Sequence, residues 1–218
     1  MKNKIYLLTT LFCIILCSAC AYTNVPVTSV YTITNTTTAA ADTINSKKNG
    51  GSSKHLQTLK LAAIRSIQPF TSTKIIYSDN QYSRNSYLYS HWSDAPVTLL
   101  QQLLQSALEQ NNQLISILPT NSSATTNLLL ESTLYDFSHH INTDQTSFGV
   151  IRIHFYLIDN LKKSLISSRE FIATVAAPTC DASGGATALN LATQQIISDL
   201  NTWLKSQLNC NTTSLRDQ

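Results

Sequence analysis

The sequence predicts an α/β protein: a three-layer α/β/α sandwich around a mixed, largely antiparallel sheet of about five to six strands with two main helices. Two amphipathic repeats and several short apolar runs bounded by turn residues predict these elements. The last three runs follow one another through short turns, which favours an antiparallel meander. Their apolar side chains lie on both faces, so we expect helices on both sides of the sheet.

The candidate strands are short apolar runs that end at Pro, Asn, Asp or Ser. Short runs of this kind are ambiguous between strand and buried helix, so we expect only some of them to join one sheet. In chain order they are residues 59–64, 74–78, 86–91, 114–118, 127–138, 147–158 and 165–176.

Two segments repeat apolar residues at spacings of three and four, as amphipathic helices do. The first spans residues 96–109 and has Pro96 in its first turn, with Asp94 before it as a candidate cap. The second spans residues 186–208. Its single apolar stripe consists of Leu189, Ala192, Ile196, Leu200, Trp203, Leu204 and Leu208.

The N terminus has the features of a secretory signal peptide. Residues 1–19 contain Lys2 and Lys4, then an apolar run, then small residues that lead to Cys20. The apolar run is shorter than the ~20 residues that a spanning helix needs. The segment resembles a bacterial lipoprotein signal that ends in a lipobox, which predicts lipidation of Cys20.

Ordinary signal cleavage is the alternative, because Ala19-Cys20-Ala21 also reads as A-x-A and cleavage there would leave Tyr22 first, without lipid. Cys17 stands where a lipobox usually has leucine. An aspartate after the lipidated cysteine resembles an inner-membrane retention signal, and Ala21 is not aspartate. We therefore expect a lipid-anchored protein of the outer membrane that faces the periplasm.

Composition divides the mature chain into a linker, a domain and a tail. Residues 20–57 are rich in Thr, Ser and Asn, and offer few large apolar side chains to offset the entropy cost of ordering. We predict a lipidated N terminus and flexible linker at 20–57, one domain at 58–210 and a disordered tail at 211–218. The oligomeric state stays open and includes a homo-oligomer.

Charge does not favour a nucleic-acid partner. The chain has 15 basic and 12 acidic side chains, and charged residues make up only 12% of it. No basic run exceeds Lys47-Lys48 or Lys162-Lys163, so we expect no surface that follows a phosphate backbone.

Cys180 and Cys210 remain when the cysteines of the signal are set aside. Two thiols in an oxidising compartment suggest a disulfide. The second predicted helix lies between them and would be roughly 34 Å long, so a bridge requires that helix to start late. An intrachain disulfide, free thiols and intermolecular pairing all stay open.

The sequence contains no G-x-S-x-G, H-E-x-x-H, P-loop or G-x-G-x-x-G motif. His139 and His140 are neighbours on a predicted strand, so they point to opposite faces and do not readily face one metal ion. We therefore predict no enzyme activity, no metal and no cofactor.

Aromatic residues cluster between positions 77 and 92, and aromatic residues are enriched at recognition surfaces. They predict either a partner-binding edge or a hairpin that packs its rings on the core. The residues are Tyr77, Tyr82, Tyr87, Tyr89 and Trp92.

The run KIIYSDNQYSRNSYLYSHWSDAPVTLLQQLLQSALEQ (74–110) resembles the ABC-type transport auxiliary lipoproteins, the PqiC-like family. The shared pattern is a Tyr-containing strand, an aromatic strand, then Trp, a small residue and Pro at the start of a helix. In this chain those positions are Tyr77, Tyr87, Trp92, Ala95 and Pro96. Later segments match in order, up to Trp203-Leu204, so the resemblance covers about residues 58–208.

The resemblance implies a non-catalytic, periplasm-facing accessory of an MCE- and ABC-linked system that moves lipid or another hydrophobic substrate. The implied partners are an MCE-domain protein and, indirectly, an ABC permease and ATPase. It also implies an α/β/α fold, and no catalytic residues carry over. The alternative is a structural or envelope-assembly lipoprotein with a different partner.

Overall fold

A computed structural model of the protein describes residues 27–34, 57–79, 83–111 and 115–214, with the backbone alone for 111 and 210–214. Each predicted run overlaps a strand, and the described residues form two further short strands. The elements are β1 (Ser29–Tyr31), β2 (Gln57–Leu61), β3 (Arg65–Ser66), β4 (Lys74–Ser78), β5 (Asn85–Trp92), α1 (Pro96–Asn111), β6 (Ile115–Leu118), β7 (Leu128–Ile141), β8 (Ser147–Asp159), β9 (Ser164–Ala176) and α2 (Ala182–Ser214).

The strands form one mixed sheet with β7 at its centre. β8 and β9 continue from one edge of β7 as the predicted antiparallel meander. β2, β3 and β4 pair in parallel with successive parts of the other edge. β6 extends the sheet beyond β2, and β5 and β1 extend it beyond β4.

The α/β class, the mixed sheet and the two helices are confirmed, but the sheet is larger than predicted. The described residues contribute nine strands to it. β1 has three residues and β3 has two, and segments of that length are too short to show an alternating pattern in the sequence.

Both helices cover the same face of the sheet. Leu104 of α1 and Leu200 of α2 surround one small cavity together with Leu130 of β7 and Phe155 of β8, and each of the four is at most 2% exposed. The described elements therefore form two layers, and the predicted third layer is wrong for them. The opposite face, which we call the open face, has no helix from the described part of the chain.

A bulge in β7 explains why its apolar residues suggested two covered faces. Leu134 pairs with Ile153 and Asp136 pairs with Arg152, so Tyr135 is an extra residue. The extra residue reverses the alternation, so Leu134 and Phe137 both lie on the helix side, although they are three positions apart. Both side chains are fully buried.

Both predicted helices are confirmed, and the second is longer than predicted. α1 spans Pro96–Asn111, close to the predicted 96–109, and α2 spans Ala182–Ser214 rather than 186–208. Residues 211–214 of the predicted disordered tail are therefore helical, and residues 215–218 lie outside the described residues.

Two glycines allow α2 to lie directly on the sheet. A Cβ at Gly149 would come within 2.7 Å of the α2 backbone, and a Cβ at Gly185 would come within 2.7 Å of the His139 ring. Asp181 caps the helix, because its Oδ1 accepts the Gly184 N–H at 2.8 Å. Gly185 thus lies inside the first turns of α2, where it permits close packing on His139.

Part of the predicted linker belongs to the domain. β1 pairs in parallel with β5, and Ile33 is only 5% exposed. Asn190 of α2 fixes the segment, because its side chain accepts the Thr34 N–H at 2.8 Å and donates to the Thr32 carbonyl at 3.1 Å. The predicted flexible linker at 20–57 is therefore wrong for residues 27–34.

Candidate functional site

The open face contains a shallow groove of about 550 Å³ beside β3 and the β8–β9 turn. The Arg65 guanidinium donates a hydrogen bond to the Glu131 carboxylate across this groove. The other side chains give the groove an apolar floor and a second cation. They are Ile67, Ile158, Leu165, Tyr156 and Lys163.

Aromatic rings hold polar side chains in place next to the groove. The His154 ring stacks on Tyr156 at 4.4 Å, and the Arg152 guanidinium lies 5.2 Å from the centre of the Tyr135 ring. A hydrogen bond between the two tyrosines is the main cause that raises the pKa of Tyr156. These contacts keep a mixed aromatic and cationic surface ordered, which is typical of protein-binding surfaces.

Ser138, Asp136 and His140 contact one another in a cluster that has the composition of a catalytic triad but not its geometry. The Ser138 hydroxyl donates to Asp136 Oδ1 at 2.5 Å and lies 3.0 Å from His140 Nε2, and that nitrogen lies 3.2 Å from Asp136 Oδ2. A triad uses different histidine nitrogens for the acid and the serine. Here one nitrogen contacts both, and Ser138 is fully buried, so the arrangement is a structural polar network.

The network controls the charge of Asp136. Burial opposes ionisation of this carboxyl, but hydrogen bonds from His140 and Ser138, with the charges of His140 and Arg84, lower its pKa below the ordinary value. Arg84 Nη2 lies 3.8 Å from Asp136 Oδ2. The carboxylate is therefore stabilised in its ionised form, as a buried acid with several donors should be.

The predicted partner-binding aromatics divide between core and surface. Trp92 is 2% exposed and packs edge-on against Phe137 at 5.5 Å, so it belongs to the core. Tyr77 and Tyr87 are half-buried, with ring centres 4.7 Å apart. Tyr89 is 49% exposed.

Tyr82 lies outside the described residues, so the structure does not locate the fifth predicted aromatic. Of the other four, Trp92, Tyr77 and Tyr87 pack as expected for a hairpin that places its rings on the core. Tyr89 is the one of these four whose ring is largely available to a partner.

A buried histidine lies under this hairpin. The Tyr87 hydroxyl hydrogen-bonds His139 Nδ1 at 2.8 Å, and Nε2 of the same ring has no hydrogen-bond partner among the described residues. Burial is the main cause that lowers the pKa of His139, against the opposing charge of Asp181. Burial likewise raises the pKa of Tyr87. Both groups are therefore held neutral at ordinary pH.

The predicted cysteine pair is separated by α2. Cys180 is a free thiol that donates to the Gln145 carbonyl, and the side chain of Cys210 lies outside the described residues. From Ala182 to Cys210 the helix rises about 42 Å, whereas a disulfide joins Cα atoms less than about 7 Å apart. This geometry argues against pairing within one chain.

Cys20, the predicted lipidation site, also lies outside the described residues. Within the part of the chain that the structure describes, no three His, Cys, Asp or Glu side chains are grouped so that they can hold a metal ion. The helices there include none with the length and apolarity needed to cross a membrane.

No protein-family model and no curated protein matches this sequence. Protein XCC0632 from Xanthomonas campestris, of family DUF330, is similar in structure, with a TM-score of 0.66 at 14% identity over 72% of this chain and 90% of that one. An uncharacterized protein is similar at a TM-score of 0.63 and 12% identity over 82% and 99% of the two chains.

Lipoprotein GNA1162 from Neisseria meningitidis matches at a TM-score of 0.36 and 10% identity, over 65% of this chain and 99% of its own, which is too distant to carry an argument. The likeness to XCC0632 shows that this chain has the fold of that DUF330 protein. At identities this low, a shared fold does not transfer a function.

Sequence reasoning missed the open-face site because its residues carry no motif. Arg65 and Glu131 are far apart in the sequence, and they meet only because β3 pairs with β7. The one signal in the sequence is the alternation along β8, where Arg152, His154 and Tyr156 share a face.

Proposed function

We propose that this chain is a lipid-anchored, periplasm-facing accessory protein of an MCE- and ABC-linked transport system for lipid or another hydrophobic substrate. Its role is to bind a protein partner at the outer membrane, without catalysis. The observation that carries the proposal is the DUF330-like fold, which occurs here behind a lipoprotein-type signal ending at Cys20.

The described polar clusters support a non-catalytic role. The Ser138–Asp136–His140 network lacks the geometry of a triad, and His139 is buried and held neutral. A general base needs access to the proton that it removes, and Ser138 and His139 are fully buried.

The surface for the partner in this proposal is the open face. Leu165 is 60% exposed and Ile172 is 57% exposed there, close to the cations Arg152 and Lys163. Exposed apolar side chains with a charged rim are characteristic of protein-binding sites. An MCE-domain segment with apolar and acidic side chains would complement this surface.

Co-purification tests the proposal. The full chain with a C-terminal tag is crosslinked in its own cells, extracted with detergent and analysed by mass spectrometry. We expect an MCE-domain protein in the eluate of the wild-type chain, and its loss when Cys20→Ala releases the chain from the membrane. Recovery of outer-membrane assembly factors without any MCE protein would contradict the transport role and favour the structural alternative.

A further inference from the structure

β5 has a large bulge at residues 87–90, which we call the arc. Lys74 of β4 pairs with His91 and Ile76 pairs with Ser86, so a single residue of β4 is opposite the four residues of the arc. Within this arc Leu88 is 74% exposed and Tyr89 is 49% exposed. A bulge of this size moves side chains out of the sheet, and here it moves two large apolar side chains towards solvent.

β1 adds two more apolar side chains to the same edge. Val27 is 88% exposed and Val30 is 67% exposed. Ser29 is opposite Ser90 in a parallel pair, so the chain before Ser29 runs back along the arc. Val27, Val30, Leu88 and Tyr89, which we call the edge patch, therefore lie at one end of the sheet.

The length of chain before the edge patch limits its distance from a lipid anchor. Cys20 and Val27 are seven positions apart, so they are at most about 25 Å apart when fully extended. Asn190 and the buried Ile33 hold the other end of this short tether on α2. If the linker were free as far as residue 57, the lipid anchor and the domain could instead be well over 100 Å apart.

We propose that the edge patch lies against the bilayer that carries the Cys20 lipid, so that the domain is oriented on the membrane as well as attached to it. This proposal rests on the lipidation in the proposed function. Aliphatic and tyrosine side chains are favoured at the boundary between headgroups and acyl chains. A small patch is sufficient, because the lipid keeps it at a high effective concentration near the surface.

Charge beside the patch selects the kind of lipid. Asp181 lines the same shallow surface as Leu88 and Tyr89. Hydrogen bonds from the Gly184 N–H and the Thr179 hydroxyl hold its pKa below the ordinary value, so it stays negative. An anionic surface would repel this carboxylate, so the patch fits a zwitterionic surface.

The test places a fluorophore on the patch of the full lipidated chain. In a background with Cys180→Ser and Cys210→Ser, the label is attached at Leu88→Cys, or at Leu165→Cys as the matched control. Leu165 is 60% exposed and lies across β8 from Leu129. β7 runs about 33 Å from Leu129 to His139, which contacts Tyr87 of the arc. The control position is therefore far from the edge patch.

Both labelled proteins are bound to phosphatidylcholine and phosphatidylethanolamine vesicles with brominated acyl chains. We expect brominated lipid to quench the label at Leu88 and not the label at Leu165. Equal quenching at both positions, or none at Leu88, would overturn the proposal. Added phosphatidylglycerol should reduce the quenching at Leu88, and an increase would contradict the role of Asp181.

Two further measurements separate this proposal from the proposed function. Flotation with the vesicles reports lipidation: a chain that fails to float overturns both, whereas a chain that floats without quenching at Leu88 overturns the orientation only. Asn190→Ala removes the bonds that fix β1 and should reduce the quenching while flotation is kept. Unchanged quenching in that variant would show that docked β1 does not set the contact.

Discussion

The two faces of the sheet are built from the same strands but carry different side chains. On the helix side Leu134, Phe137 and Leu157 are fully buried. On the open face Leu165 and Ile172 are more than half exposed. The covered face is thus shaped by close packing, whereas the open face keeps apolar and charged groups that the fold does not require. Residues that the fold does not require are the ones available for recognition.

The largest effect should come from a pair of neighbours on β9. Phe171 is 5% exposed and contacts the rings of Phe155 and Trp203, so Phe171→Ala should lower the free energy of unfolding by about 3–5 kcal/mol. Ile172→Ala, on the open face, should change it by less than about 0.5 kcal/mol. Urea denaturation of both variants measures the difference. Similar losses for the two would show that both faces are packed.

A smaller effect is expected where α2 contacts β8. Gly149→Ala places a methyl group 2.7 Å from the backbone of α2, and overpacking of this kind costs about 1–3 kcal/mol. Val150→Ala, the next residue on the opposite face, is the control and should cost less than about 1 kcal/mol. Thermal unfolding compares them, and a stabilising effect of Gly149→Ala would contradict the close approach of the helix.

An effect of similar size concerns Asp136, and unlike the first two it should depend on pH. The pKa of Asp136 is lowered in the folded state from an ordinary value of 3.8. Its contribution is therefore fully present above that value and is lost as the pH falls through the folded pKa. Asp136→Asn should cost about 1–3 kcal/mol near neutral pH, because Ser138 and His140 lose a charged partner.

Denaturation from pH 7 downward measures this prediction. The difference between wild type and Asp136→Asn should shrink below the ordinary pKa of an aspartate. A difference that stays constant down to acid unfolding would show that the network does not stabilise the ionised carboxylate.

The strands and helices were largely predictable, because the spacing of apolar residues along a long segment indicates which of its side chains are buried. β8 and β9 were predicted to within one residue at each end. The second helix was predicted too short because Gly184 and Gly185, just before residue 186, look like helix breakers in a sequence. The packing of Gly185 on the His139 ring is visible only in three dimensions.

The layer arrangement and the site were not predictable for a different reason. A one-residue bulge at Tyr135 reverses the faces of β7, and nothing in the local sequence marks it. The docking of β1 depends on Asn190, more than 150 positions away. Both features depend on contacts between distant segments, which periodicity does not record.

Capture of the partner by paired variants tests the proposed role of the open face most directly. The wild-type chain, Leu165→Ser with Ile172→Ser on the open face, and Val30→Ser with Leu88→Ser at the edge patch are tagged and crosslinked in cells. All three should fold with equal stability and remain in the membrane fraction. We expect the MCE-domain protein to be recovered with the wild type and the edge-patch variant, and to be lost from the open-face variant. Full recovery with the open-face variant would contradict that role.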